Sequence, residues 1–112
     1  MGRLSVILLV LSSCSAAAGQ LLLKIGAHGR EQLTEFVNIP ILLGLLFYVT
    51  GTAIWIYVLS KESLINVYAF TALSFVLVAA CSLIFLGERI TLGGVMGIIL
   101  VLVGLYLITS YN

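Results

Sequence analysis

The sequence predicts an all-helical integral membrane protein, a bundle of four transmembrane helices. Three observations predict it. Of 112 residues, 62% are hydrophobic and 8% charged, where a soluble domain has about 45–50% and about 25%. Four apolar stretches are each long enough, at about 20 residues, to cross a bilayer as a helix. Nearly all the charge falls in the breaks between them.

The first stretch runs from about Leu4 to Ile25, at 4–25. The others are Ile39 to Leu59 (39–59), Leu64 to Leu86 (64–86) and Leu92 to Ser110 (92–110). Arg30, Glu31 and Glu35 fill the first break, Lys61 and Glu62 the second, Glu88 and Arg89 the third. Lipid offers no partner to a backbone N–H or C=O, so the segments must be helices. Membrane-spanning strands would alternate in polarity, and these Leu/Ile/Val runs are continuous. Residues 1–112 therefore read as a single transmembrane domain.

Met1-Gly2-Arg3, an apolar run and Ala16-Ala17-Ala18 have the outline of a secretory signal, and Leu11-Ser12-Ser13-Cys14 that of a lipoprotein cleavage box. The apolar run continues through Leu21-Leu22-Leu23, with no polar spacer after Cys14. The segment is therefore expected to remain a helix. Arg3 and Lys61 would face one side of the membrane, and Lys24, Arg30 and Arg89 the other. That distribution gives no clear orientation by the positive-inside rule.

Composition excludes several functions. A net charge of +1 offers no basic patch for a nucleic-acid partner. One His, two separated Cys and acids at the helix ends do not form a metal site. Phosphate-cradling loops, Ser/His/Asp sets and CxxC pairs are absent from the sequence. No enzyme activity and no cofactor are expected. Cys14 and Cys81 are expected to be buried small hydrophobes, and His28 a solvated loop residue.

Polar groups inside a membrane are costly and mark function. In helix one, Ser13, Gln20 and Lys24 share a face with Ala16 and Ala17, beside a second face of Ser12, Ser15 and Gly19. In helix two, Tyr48, Thr52 and Trp55 form a stripe. In helix three, Tyr68, Thr71, Ala72 and Phe75 do the same, with Asn66 and Ser74 nearby. Three such faces are expected to enclose a cavity lined by aromatic rings and hydroxyls. Lys24 is the one charge set well inside an apolar run. It either snorkels to the headgroups or meets a lipid phosphate. Gly97 and Gly104 share a face of helix four, suited to close packing in the monomer or in a dimer. Gly44 and Gly51 repeat that spacing in helix two, for packing within the bundle.

Four motifs carry a resemblance over nearly the whole chain. They are Ala-Ala-Gly-Gln-Leu-Leu-Leu-Lys ending at Lys24, Asn-Val-Tyr-Ala at 66–69, Phe-Leu-Gly-Glu-Arg-Ile-Thr at 85–91, and Gly-Ile-Ile-Leu-Val-Leu-Val-Gly at 97–104. Together they resemble the small four-helix branch of the drug/metabolite transporter superfamily, whose members are small multidrug resistance-like or EamA-like. The resemblance implies a small multidrug resistance-like bundle and two competing activities.

Small multidrug resistance exporters trade protons for organic cations as dual-topology dimers. Their helix-one glutamate would fall at Ala16, which cannot titrate. Their helix-three tyrosine corresponds to Tyr68, but their aromatic further along falls at Thr71. Their helix-four dimer motif is similar to Gly97 through Gly104. The second type is the flippase subunit for undecaprenyl phosphate bearing aminoarabinose. It also lacks the glutamate and is similar at Gly19-Gln20, Lys24, Trp55 through Leu59 and Tyr68-Ala69.

The second type is the better match. It implies a multi-pass protein of the bacterial inner (cytoplasmic) membrane that flips a polyprenyl-phosphate-linked sugar. Its partners would be the lipid-linked sugar, membrane lipids and a second similar four-helix subunit, in a homodimer or heterodimer. Lys24 and Arg30 are then expected to meet phosphate. Ser13, Gln20, Trp55, Tyr68 and Ser74 line the substrate site, with hydrogen bonds to sugar hydroxyls from Gln20, Tyr68 and Ser74. Glu88 faces an amino group, or else Gly87-Glu88-Arg89 simply turns the chain into helix four, with Thr91 as its N-cap. The alternatives are cation export and a non-transporting membrane adaptor subunit.

Overall fold

A computed structural model describes residues 2–111. It holds α1 (Arg3–Ala27), α2 (Ile39–Leu59), α3 (Leu64–Ala69), α4 (Thr71–Phe85) and α5 (Leu92–Tyr111), with a short 3-10 turn at Leu33–Phe36. Four helical segments are long and apolar enough to cross a membrane: α1, α2, the α3–α4 pair from Leu64 to Phe85, and α5. The expected spans lie over these segments. No strand occurs among the described residues.

The α1–α2 hairpin is the most closely packed part of the bundle. A methyl group on Gly19 would lie 2.8 Å from the Gly44 carbonyl oxygen, and one on Gly51 would lie 3.0 Å from the Ser12 carbonyl oxygen. At Gly26 an added methyl would meet Ile41 at 2.6 Å. Small residues therefore let the two backbones touch along the whole hairpin. The expectation that Gly44 and Gly51 pack within the bundle agrees with this contact. Hydroxyls reinforce it. Ser12 donates to the Gly51 carbonyl at 2.7 Å, and Ser15 to that of Phe47 at 2.7 Å.

Asn38 closes the far end of the hairpin. Its side-chain oxygen accepts from the Ile41 N–H at 3.0 Å and caps α2. Its amide donates to the carbonyls of Gly26 at 3.0 Å and Glu35 at 2.9 Å. At the other end, Glu62 accepts from the Gly2 N–H at 3.4 Å, tying the start of the chain to the α2–α3 turn.

The third span differs from expectation in being broken at Phe70. No proline or glycine lies there. The Phe70 N–H reaches back to Val67, in a tightened i→i−3 bond of 3.1 Å. Its carbonyl accepts both the Ser74 N–H at 3.2 Å and the Ser13 hydroxyl at 3.3 Å. A side chain entering the backbone ladder is an established cause of a kink. The Phe70 ring meanwhile packs into the buried cluster of Leu9, Val58 and Val67.

Helix α5 leans on α3 and α4, and none of its residues is buried. The molecule measures 46 × 36 × 18 Å. With helix axes about 8–10 Å apart, the shortest dimension holds two layers of helices. One side of α1, carrying Leu4, Ile7 and Leu11, is left exposed.

Candidate functional site

Helices α1, α2 and the α3–α4 pair surround a cavity of about 550 Å³. Its lining includes Ser12, Ser13, Ala16 and Gln20 from α1, and Tyr48, Gly51, Thr52 and Trp55 from α2. Tyr68, Phe70, Thr71, Ser74, Phe75 and Val78 complete it. Five of the residues expected at the site, Ser13, Gln20, Trp55, Tyr68 and Ser74, are brought together here. The lining contains no charged residue. The cavity is open to the outside: Tyr68 in its lining is 62% exposed and Tyr48 43%.

The hydrogen bonding divides the lining in two. Ser12 and Ser13 spend their hydroxyl protons on backbone carbonyls of neighbouring helices, and Thr52 donates to Tyr48 at 2.9 Å within α2. These three hold the walls together. Among the described residues, the side chains of Gln20, Trp55, Tyr68 and Ser74 make no hydrogen bond to protein. Their donors and acceptors face the cavity unspent. Ser13 thus lines the cavity while its hydroxyl proton is committed to the Phe70 carbonyl.

A second, smaller chamber of about 260 Å³ adjoins the first. It is lined by Gln20, Leu21, Lys24, Val78, Cys81, Ser82, Leu86 and Glu88. Lys24 stands in the last turn of α1, where a cation also complements the helix dipole. Glu88 follows Gly87, whose left-handed backbone (φ 68°) ends α4. The Glu88 N–H turns back to the Ser82 carbonyl at 3.2 Å, and the Ser82 hydroxyl donates to its carboxylate. Thr91 then accepts from the Gly94 N–H at 3.2 Å and caps α5. The segment turns the chain into α5, and Glu88 lines the same chamber as Lys24.

Several expectations are corrected. Arg30 lines neither chamber, because its Nε donates to the Gly26 carbonyl at 3.2 Å and folds the side chain back on α1. Asn66 and Ala72 also lie outside the lining, and Asn66 is buried in the first turn of α3. Cys14 is exposed on the outer surface of α1 and Cys81 is half-buried in the smaller chamber, so neither is fully buried. Methyl groups added at Gly97 or Gly104 would meet nothing within 4 Å. Neither glycine is needed for a close backbone approach within the monomer.

Sequence reasoning placed Ser12, Ala16, Tyr48, Thr52, Thr71 and Phe75 near the cavity without assigning them to the site. It missed Phe70 and Val78. Phe70 joins the lining through the helix break, which no proline or glycine announces. Val78 carried no polar signal.

Residues 1–110 match the EamA-like transporter family. The chain belongs to that family. Over 67 residues it is 42% identical to the probable 4-amino-4-deoxy-L-arabinose-phosphoundecaprenol flippase subunit ArnF of Sodalis glossinidius (strain morsitans). The aligned stretch is 58% of this chain and 52% of that protein, so the chain spans about half the length of the curated relative it matches. No solved structure matches it. Family membership and four apolar spans make this EamA-like protein a multi-pass membrane transporter.

Proposed function

We propose that the protein is a subunit that flips a polyprenyl-phosphate-linked sugar, with aminoarabinose as the sugar, across the bacterial inner membrane. The observation that carries this reading is the polarity of the groove. It is neutral, hydroxyl-bearing and aromatic over most of its length. At one end stand a single cation, Lys24, and a single anion, Glu88. A phosphate suits Lys24, and the aromatic, hydroxyl-bearing remainder of the groove suits an amino sugar. The open side leaves a polyprenyl tail in lipid while the headgroup lies between the helices. The similarity to ArnF supports the same class of substrate.

The groove lining also bears on energy coupling. A proton antiporter needs a buried carboxylate whose pKa responds to substrate. Ala16 stands in the larger chamber where such a group would act, and Glu88 lies at the outer end. A lipid-linked sugar consumed on the far side runs down its own gradient and needs no coupling ion. The uncovered side of α1 and the free face of α5 with Gly97 and Gly104 favour a second four-helix subunit, identical or similar, as partner.

Native mass spectrometry of the complex extracted gently from its own membrane tests this. The expected result is a dimer carrying a polyprenyl-phosphate adduct, whose mass also identifies the sugar. A dimer holding only bulk phospholipid would remove the substrate assignment. Cation export has one observation in its favour: the aromatic wall of Tyr48, Trp55, Tyr68 and Phe75 suits a cation–π contact. It predicts pH-dependent quenching of Trp55 by an aromatic cation.

A further inference from the structure

From the way the groove is divided, we infer that the two chambers bind different parts of one headgroup. The smaller chamber holds the phosphate, the larger one holds the sugar ring with its amino group against the aromatic wall, and Gln20 and Val78 are the boundary that sorts them. The inference rests on the proposed lipid-linked substrate and assigns its parts to places.

Gln20 of α1 and Val78 of α4 are the two residues that line both chambers. On one side of them stand Lys24 and Glu88. On the other side every lining residue is uncharged. A phosphate that crossed this boundary would leave its cation for a chamber without one. Moving an unpaired anion into a membrane interior is strongly unfavourable, so the phosphate stays with Lys24.

The larger chamber has the opposite character. Its volume lies within the about 300–1,000 Å³ usual for small-molecule sites. Tyr48, Trp55, Tyr68 and Phe75 offer ring faces to the C–H surface of a sugar. Ser74, Tyr68 and Gln20 offer unspent hydrogen-bonding groups to its hydroxyls. Gln20 is the one side-chain amide in either lining. It carries two donors and an acceptor, so it serves the ring hydroxyls at the boundary without adding charge. Val78 opposite narrows the passage and competes for no hydrogen bond.

Each chamber contains its own reporter. Trp55 is the single tryptophan and lines the larger one. Cys81 lines the smaller one, and replacing exposed Cys14 by alanine leaves Cys81 as the sole thiol. The experiment uses that variant, reconstituted with its partner subunit if it has one. It measures Cys81 alkylation by N-ethylmaleimide and Trp55 fluorescence with three probes: inorganic phosphate, geranyl phosphate, and geranyl phosphate carrying an aminopentose.

Both geranyl compounds are expected to slow Cys81 alkylation several-fold, while only the sugar-bearing one changes Trp55 emission. Gln20→Leu should keep the protection of Cys81 and lose the Trp55 response. Val78→Phe, which narrows the boundary by another route, should do the same. Retained Cys81 protection shows that each variant is folded. A Trp55 response to bare geranyl phosphate as large as that to the sugar-bearing compound would overturn the division. So would protection of Cys81 by the sugar-bearing compound with Trp55 silent. Protection by inorganic phosphate equal to that by geranyl phosphate would make the ligand a free anion. If no probe protected Cys81, the lipid-phosphate reading itself would fall, and the division with it.

Discussion

Gly19 and Gly44 stand back to back in the α1–α2 hairpin. A methyl on the first would lie 2.8 Å from the carbonyl oxygen of the second, and the reverse contact would be 2.9 Å. Backbone opposes backbone, so no side chain can move aside. Gly19→Ala is expected to destabilise the fold by about 1–3 kcal/mol, the usual cost of overpacking. Gly97→Ala, which adds its methyl to open space, should leave the monomer unchanged. Thermal unfolding of both variants in detergent checks the contrast, and equal losses would contradict the packing described.

The Ser12 hydroxyl donates to the Gly51 carbonyl at 2.7 Å and is buried. Hydrogen bonds between helices in a membrane are worth about 0.6 kcal/mol on average and about 1.7 at most. Ser12→Ala should therefore cost less than Gly19→Ala in the same unfolding measurement. A larger loss for Ser12→Ala would mean that hydrogen bonding, and not close approach, holds the hairpin.

Glu62 gives a pH dependence whose sign is fixed. The Ser5 hydroxyl and the Gly2 N–H hold its carboxyl below the ordinary value of 4.5, and the partial loss of water opposes them less strongly. The group is ionised more readily in the folded protein than in the unfolded chain. Its contribution is thus fully present above that ordinary value and disappears as pH falls through the lowered one. Wild type should exceed Glu62→Gln in stability at neutral pH, and the gap should close in acid. Denaturation midpoints measured across that range check it; a gap that widens in acid would contradict the assignment.

The free face of α5 predicts a separation of assembly from folding. Gly97→Leu and Gly104→Leu place side chains where an added Cβ meets nothing within 4 Å in the monomer. Both variants should keep the helical content and unfolding temperature of the monomer. They should weaken subunit association by at least tenfold, read by cross-linking yield or analytical ultracentrifugation. Undiminished association would place the interface elsewhere.

The span pattern was legible in the sequence because it depends on length and apolarity alone. The cavity was legible because i, i+3 and i+4 spacing puts Tyr48, Thr52 and Trp55 on one stripe whatever the helix packs against. What spacing does not reveal is which face meets which neighbour. Ser12, Gly19 and Gly26 recur every seven residues, as do Gly44 and Gly51. That shared period was the available signal for the α1–α2 seam, and only its α2 half was recognised. The Phe70 break could not be read from sequence, because it arises when the Ser13 hydroxyl, from a different helix, reaches the Phe70 carbonyl. Arg30 looked like a phosphate ligand by charge. Its contact with Gly26 is a local hydrogen bond across four residues that charge counting does not register.

The central claim is that Lys24 holds the phosphate of a lipid-linked sugar as the headgroup crosses the membrane. The most direct measurement is flipping of a fluorescent, short-chain polyprenyl-phosphate sugar in proteoliposomes, comparing wild type with Lys24→Met in the same assembly. Lys24→Met keeps most of the unbranched side chain and removes its charge, so the fold should survive in both helical content and unfolding temperature. The account predicts flipping by wild type and a loss of at least tenfold in the variant. Unchanged flipping by a folded Lys24→Met protein would contradict it.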